Sequence, residues 1–309
     1  MSFVIYWLMG LMPGDPIDLM ISADPKLTTD DAIRLRALYG LDQPITERYL
    51  NWLSAASTGD FGFSRLHAKP VLNVLWPALS NTIVLLGNSF ILSLILALPA
   101  GIYAAIRQYS FADYAVNLAA FAGISVPSFW LALLLITLFS VILGILPASG
   151  TEIIGAGLTG VWDTAKFLIL PIATLTISSI GSHTRFVRAA MIETMRQDYI
   201  RTARAKGASE TRVVLKHAFR NAMIPVATII ALDFGFLFSG ALIVETIFAY
   251  PGMGKLIFDA IMGNDFNLAM IAFLFATILT LLGNLIADLA YGWLDPRITT
   301  GASGGEGSK

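Results

Sequence analysis

Long apolar runs alternate along this chain with a few polar connections, and the run lengths set the first expectation. A helix rises 1.5 Å per residue, so about 20 apolar residues cross a bilayer core of about 30 Å. Five runs reach that length: Thr82 to Ile106, Ala115 to Leu146, Phe167 to Met191, Ala222 to Val244, and Leu268 to Leu294. Pro99 lies inside the first of them, and membrane helices tolerate proline. The second is expected to open with a bend at Ser125-Val126-Pro127-Ser128. Phe3 to Met12 is apolar but too short to span, so it reads as the second half of a first span whose start lies upstream, the alternative being a short helix that thins the membrane locally. Pro13-Gly14-Asp15-Pro16 ends it, because two prolines and a glycine cannot continue a helix. The pattern thus predicts an all-α polytopic membrane protein with six spans.

The polar stretches divide the chain further. Residues 13–79 form a loop domain between the first two spans. Within it a short helix starts at Leu27-Thr28-Thr29-Asp30-Asp31, with Thr28 as cap and Asp31 in the first turn, and Gly40 ends it. Leu41-Asp42-Gln43-Pro44 turns the chain, a second helix covers Thr46 to Ala55, and Ser57-Thr58-Gly59-Asp60 breaks it. Residues 80–297 hold the main membrane domain. The remaining 298–309 are Gly/Ser-rich and read as a disordered tail.

Charge placement orients these spans. Of 309 residues 56% are hydrophobic and 13% charged, against about 25% charged in soluble domains. The formal net charge of -1 matters less than where the charges sit. Arg185, Arg188, Arg196, Arg201, Arg204, Lys206, Arg212, Lys216 and Arg220 crowd one connection, facing only Glu193, Asp198 and Glu210. The stretch from Pro147 to Ala165 has no Lys or Arg, and Glu245 to Asn267 has only Lys255. By the positive-inside rule the basic loop is cytoplasmic, the other two connections and 13–79 are external, and both termini are cytoplasmic. No basic start and small-residue cleavage site bracket the first apolar run, so no cleavable signal peptide is expected. With no cysteine there is no thiolate chemistry and no disulfide framework.

The basic loop, Asp198 to Pro225, carries more than charge. Tyr199 to Lys206 holds good helix formers, Gly207 can take the left-handed conformation that closes a helix, and Ser209 can cap the next one. Val213, Val214 and Ala218 give that next helix an apolar side, while Arg212, Lys216 and Arg220 keep it wet. A plain orientation signal would account for the charges but not for the Ala203-x-x-x-Gly207 spacing.

Other candidate chemistry is thinner. Pro251-Gly252-Met253-Gly254-Lys255 fails as a phosphate loop, since Ala249 and Leu256 stand where that motif needs Gly and Ser or Thr. A tight external turn, with glycines for unusual dihedrals, is expected there. Asp233 and Asp288 lie inside spans, where a carboxylate costs about 2.5–3.5 kcal/mol. Asp288 is about 10 Å from the span's end by helical rise and can snorkel or pair, with Asn284 on its face. Asp233 is near mid-span and can face a transport pathway or pair across a subunit interface; both readings stay open. His67, in the external loop, His183, near a cytoplasmic helix end, and His217 lie too far apart for one metal site. No nucleophile or acid–base constellation has a credible setting, so a non-enzyme is expected.

Arg201-Thr202-Ala203-Arg204-Ala205-Lys206-Gly207 followed by His217-Ala218-Phe219-Arg220-Asn221-Ala222-Met223-Ile224-Pro225 resembles the "EAA" coupling loop of ATP-binding-cassette importer permeases, in the dipeptide, oligopeptide and nickel subfamily. Arg201 and Thr202 replace the Glu and first Ala of the general pattern, while Ala203 and Gly207 remain. The serial order P-G-D-P, L-T, Y-G-L-D-Q-P, Y-L-N-W-L, G-D-F-G-F-S resembles the same subfamily's external domain. So do Ile124 to Trp130, Leu146 to Gly150, and Glu245-Thr246-Ile247-Phe248 through Pro251-Gly252-Met253-Gly254.

The resemblance implies a MetI-like type I importer core in an inner membrane, with a coupling loop over 192–220. It implies that Tyr199, Arg201, Thr202, Ala203, Arg204, Ala205, Lys206, Gly207, Ala208 and Ser209 dock on an ATPase. Ser125, Pro127, Ser128, Asp233 and Glu245 become candidates for the translocation pathway. Implied partners are a second homologous permease, two ABC ATPase subunits, an external solute-binding protein, the lipid bilayer and a peptide substrate, with no nucleic acid. The chain itself needs no cofactor, ATP and Mg belonging to the ATPases. A nickel or other small-solute importer of the same subfamily, an ion-coupled secondary transporter using Asp233 or Asp288, and a membrane scaffold without transport are the competing readings.

Overall fold

A computed structural model describes residues 2–11, 17, 28–38, 42–150 and 161–294, with side chains except at 29, 32, 35–36, 38, 161, 164, 228–240, 287–288 and 290–294. The Pro13–Pro16 break, Gly40 and the 298–309 tail lie outside the described residues, as do the side chains of Asp233 and Asp288.

The described chain is helical nearly throughout. Helices α1 (Ser2–Met9), α2 (Thr29–Leu38) and α3 (Ile45–Ser57) precede a short antiparallel ribbon, β1 (Phe63–Ser64) with β2 (Lys69–Pro70). Helix α2 starts as expected: Thr28 Oγ1 accepts from the Asp31 amide (3.3 Å) and Asp31 accepts from the Thr28 amide (2.9 Å). These bonds hold the Asp31 carboxyl below its usual range. Then follow α4 (Val71–Ile106), α5 (Phe111–Ser125), α6 (Ser128–Leu135, continued by π-helical turns over Ile136–Ile142), α7 (Val161–Met195) and α8 (Asp198–Ala205). A turn at Glu210–Arg212 and π-helical Val213–Ala218 lead directly into α9 (Phe219–Ile247); α10 (Met253–Met262) and α11 (Phe266–Leu294) complete the order.

Several boundaries differ from the sequence reading. Helix α4 begins at Val71, well before Thr82, because Val71, Leu75, Ala78 and Leu79 are buried at helical spacing. A run of hydropathy marks where a helix turns fully apolar, not where it starts. Helix α7 likewise starts at Val161 and runs through Pro171 to Met195. The run from Ala115 to Leu146 is two helices meeting at 101°. Pro127 donates no amide and disfavours helical geometry at the residue before it, and Val126 is extended (φ -86, ψ 121). Among the described residues three helices, α4, α7 and α11, are long and apolar enough to cross a membrane, or four if α5 and α6 form one broken span. The expected count of six is not reached by that test. Helix α1 has 8 residues, and α9, at 29 residues, carries most of its undescribed side chains in its interior.

The chain separates into two compact units, Met1–Leu86 with Ala132–Pro171 and Phe238–Ile278, and Gly87–Leu131 with Ile172–Leu237 and Leu279–Lys309. In the first, an aromatic cluster ties α1 to α3 and the start of α11. Phe3 and Tyr6 meet Tyr49 edge-on at 5.0 and 5.5 Å, and Tyr6 meets Phe266 at 5.3 Å. The ribbon is fixed by Asp265, which accepts from Ser64 Oγ (2.6 Å) and the amides of Leu66 (3.0 Å) and Leu268 (3.2 Å). In the second unit α4, α5 and α7 pack closely through glycines. A Cβ at Gly101 would lie 2.8 Å from the Thr184 carbonyl oxygen, and one at Gly181 2.2 Å from that of Ala120. Without a hydrophobic drive between helices in lipid, such close backbone contact is the main source of packing energy.

Candidate coupling loop and the Glu245 turn

Helix α8 is short, and the sequence fixes both its ends. Asp198 stands in its first turn and Arg204 in its last, each matching the helix dipole. Ile200 and Ala203, three apart, are buried against Ala105, Val187, Met191, Val213, Val214 and Ala218. Tyr199, Arg201, Thr202, Arg204, Ala205, Lys206 and Gly207 are exposed on the remaining surface. Partial desolvation of its hydroxyl pushes the Tyr199 phenol above its ordinary value, opposed by a hydrogen bond with Thr194.

Gly207 has φ +80, its amide donates to the Arg204 carbonyl (2.9 Å), and the Ala208 amide donates to that of Ala203 (3.2 Å). This pair of bonds is the Schellman closure expected of a glycine there. Half-buried Ala208 packs at the edge of the Ile200 core. Ser209 departs from expectation. It occupies the cap position with extended backbone, yet its side chain caps nothing. The turn is instead bridged by Arg204, whose Nε and Nη2 donate to the two Glu210 carboxylate oxygens at 2.8 and 3.2 Å. The following segment is π-helical from Val213 to Ala218 and buries Val213, Val214 and Ala218, the apolar side the sequence indicated.

The second candidate region lies in the first unit. Glu245 is 0% exposed. Its Oε1 accepts from Thr82 Oγ1 (2.6 Å) and its Oε2 from the Lys255 amide (3.1 Å), while Thr82 Oγ1 accepts from the Met253 amide (2.7 Å). A carboxylate and a hydroxyl thus satisfy the first amides of α10, where negative charge is favourable. Tyr250 donates to the Asn81 carbonyl (3.0 Å) and Asn81 Nδ2 to that of Pro251 (2.9 Å). Burial, reinforced by the Glu245 charge, pushes the Tyr250 phenol up to about 12.

The glycines here do a different job from the expected one. Gly252 has φ -97, and the left-handed residue is Ala249 (φ 47). What excludes side chains is space: a Cβ at Gly252 would sit 2.3 Å from the Glu245 carboxyl carbon, and one at Gly254 2.4 Å from Leu242 Cα. Helix α10 was also not expected; its buried Met253, Leu256, Ile257 and Ala260 follow helical spacing that a short segment between turn signals hides.

The other pathway candidates fall elsewhere. Ser125 and Pro127 are exposed and Ser128 half-buried at the α5–α6 bend. Asp233 lies within α9, its side chain outside the described residues. His183 is not near a helix end, because α7 continues to Met195; it is 3% exposed and hydrogen-bonded to Ser93 (2.8 Å). Among the described residues no three metal-binding side chains come together. Sequence reasoning missed Thr82 and Asn81, whose partners lie far along the chain, and the pairing of Arg204 with Glu210, which depends on how the Gly207 turn folds back.

Residues 97–300 match the family model described as binding-protein-dependent transport system inner membrane component. The chain is 40% identical over 299 residues to the oligopeptide transport system permease protein AppB of Bacillus subtilis, covering 96% of this chain and 93% of that one. It is 37% identical to the glutathione transport system permease protein GsiC of Escherichia coli, with the same coverage. To the dipeptide transport system permease protein DppB of Alkalihalophilus pseudofirmus it is 36% identical, covering 96% and 94%. A solved chain of the inward-facing MetNI methionine ABC transporter superposes with a TM-score of 0.60 at 18% identity, over 73% of this chain and 98% of that one. A chain of an amino acid ABC transporter does so with 0.54 at 13% identity, over 71% and 94%. The matched region includes α8, Gly207 and the Glu245 turn, and the chain belongs to the binding-protein-dependent inner membrane components, the permease subunits of ATP-driven ABC importers.

Proposed function

We propose that this chain is a permease subunit of a peptide importer, and that α8 with the Gly207 turn is where its ATPases push. One observation carries the docking assignment. Helix α8 is a short rod with one face sunk in the Ile200–Met191 core and the opposite face exposed. An element so built transmits a load on its outer face to α7 and α9 rather than yielding to it. The exposed set, Tyr199, Arg201, Thr202, Ala205, Lys206 and Gly207, is the docking surface; Ala203 and Ala208 support it from beneath, and Arg204 and Ser209 shape the turn. ATP and Mg bind the two ATPase chains. A second homologous permease completes the pathway and a solute-binding protein delivers substrate, with both termini of this chain cytoplasmic. Peptides are the substrate class because the relatives named for a solute handle oligopeptides, dipeptides and the tripeptide glutathione. Ser125, Pro127, Ser128 and Asp233 remain pathway candidates, and we assign Glu245 to holding its turn.

The test is a pull-down of the tagged chain from its native membrane in mild detergent, beside Gly207→Asp. A Cβ at Gly207 meets nothing within 4 Å, so the substitution adds charge to the outer surface without disturbing the core. Gly207→Ala carries at least as much left-handed strain, about 1–2 kcal/mol, and serves as control. P-loop ATPases recovered with wild type and Gly207→Ala but lost with Gly207→Asp establish the docking surface. A chain that emerges alone and accumulates solute on a proton gradient overturns the importer reading in favour of ion coupling.

A further inference from the structure

We infer that Asp113 and Arg188 form the joint through which movement of α8 reaches α5 and the Ser125–Ser128 bend. The inference rests on α8 being the docking element. Within this chain α5 buries few side chains. Of its fifteen residues only Asp113, Ala120 and Gly123 are buried, while Phe111, Tyr114 and Leu118 are 89%, 63% and 71% exposed. Ala120 and Gly123 meet α7 backbone to backbone, at Gly181 and Ile177, and Phe121 lies under the Arg185 guanidinium at 4.5 Å. Small residues in contact resist approach but not sliding.

Asp113 supplies the missing constraint. Arg188 Nε donates to its Oδ1 at 2.6 Å and Nη2 to its Oδ2 at 2.8 Å, a two-point fork that fixes orientation as well as distance. The same carboxylate accepts from the Tyr109 amide (2.9 Å) and Asn117 Nδ2 (2.7 Å), and the Asp113 amide donates to Ser110 Oγ (3.3 Å). Tyr109 is left-handed (φ 61) in the turn that follows α4. One side chain therefore locks the turn after α4, the start of α5 and the C-terminal part of α7. Its side chain is 3% exposed and that of Arg188 24%. Such pairs add little net stability over apolar packing, and their use is to specify geometry.

The joint sits beside the docking core. Arg188 follows Val187 and precedes Met191 by three residues; both of these are buried with Ile200 and Ala203 of α8, and Ala105 of α4 joins them. A push on α8 thus arrives at α7 one turn from the joint. The fork then turns α5 with α7, carrying the far end of α5, which is Ser125.

Two readouts separate this inference from the importer reading. The chain has no cysteine, so Leu118→Cys and Asp198→Cys accept one spin label each, on α5 and on the exposed start of α8 outside the docking set. In the detergent-purified complex the label–label distance distribution is narrow, and it broadens in Asp113→Asn and in Arg188→Lys, which keeps the charge but loses the fork. In proteoliposomes carrying the full complex, labelled dialanine, tetra-alanine and glutathione are tried as solutes. The solute accumulated per ATP hydrolysed falls about tenfold in either variant, while ATP hydrolysis persists. Asp113→Asn combined with Arg188→Lys is no worse than either alone. A merely structural role lowers the yield of complex and leaves the ratio unchanged in what assembles. Distances that stay narrow in both variants, or an unchanged ratio, overturn the joint. A wild-type complex that hydrolyses ATP and accumulates none of the three solutes counts against the peptide reading, and the distance measurement still decides the joint.

Discussion

Replacing Gly254 with alanine puts a methyl carbon where backbone already lies. The added Cβ falls 2.4 Å from Leu242 Cα and 2.8 Å from Leu242 N, against 3.4 Å or more in ordinary contact. Relief requires the start of α10 to back away from α9 by about 1 Å, a shift of the scale that costs overpacked sites up to about 3 kcal/mol. Movement of that size also lengthens the Lys255 amide contact to Glu245, now 3.1 Å, beyond hydrogen-bond range. At about 2 °C per kcal/mol for a chain of this length the midpoint of thermal unfolding drops by up to about 6 °C. The assay is loss of monodisperse protein on size exclusion after heating in detergent, read at one fixed heating time because unfolding is irreversible. Gly87→Ala is the control: it is helical, a Cβ there meets nothing within 4 Å, and it should match wild type or exceed it slightly. A Gly254→Ala midpoint within 1 °C of the Gly87→Ala control, on the order of measurement error for shifts of this kind, would refute the close-approach account.

Further expectations follow from the same contacts. Thr82→Val leaves the Met253 amide and Glu245 Oε1 unpaired in a buried site and costs about 2 kcal/mol or more in the same assay; no loss would show that the hydroxyl is dispensable. Glu245→Gln is less stable than wild type, because its one amide oxygen can accept from the Lys255 amide or from Thr82 Oγ1 but not from both, and the charge at the start of α10 is lost; equal midpoints would contradict the assignment of Glu245 to the turn. The Tyr250 phenol is raised from about 10 to about 12, so its burial stabilises the fold fully below pH 10 and is lost as pH rises through 12. Tyr250→Phe should flatten stability over that interval, and an unchanged slope in denaturation curves at pH 9 to 12 would count against it. Asp233→Asn changes solute affinity or range if its carboxylate faces the pathway; unchanged uptake with weaker permease pairing favours the interface instead.

Where information was local, the sequence was readable. Thr28 with Asp31, Gly207 closing α8, and the bend before Pro127 all follow from the chemistry of two to five neighbouring residues. The α8 core was half legible: Val213, Val214 and Ala218 showed as an apolar side, but Met191 and Ala105, which lie against them, come from helices far along the chain. Residues 71–79 read as loop because Asn73 and Pro77 dilute the hydropathy, although every inward position is apolar. Gly252 and Gly254 misled for a physical reason. Glycine serves both dihedral freedom and close approach, and only the position of Glu245 and Leu242 says which. Asp113 had a local signature in Ser110-x-x-Asp113, a capping pattern, yet nothing in it points to Arg188.

These cases share a cause in the solvent. Water drives apolar faces together; lipid does not, so helices in a membrane must be positioned by backbone proximity and by polar contacts. The described residues divide that work cleanly. Gly101, Gly123 and Gly181 bring helix faces to van der Waals limits, where they set distance. Glu245, Asp113 and Asp265 each bind the start of a helix to a second element, where they set angle. Glu245 and Asp265 accept from first-turn amides that have no helical partner, so their charge is stabilised where the backbone also needs it, while Asp113 is held by the Tyr109 amide just before α5 and by Arg188. That economy accounts for acidic side chains buried in a chain with only 13% charged residues. It also predicts where change is tolerated: a glycine that meets nothing, such as Gly87, can be replaced, whereas each of the three carboxylates loses an angle when neutralised.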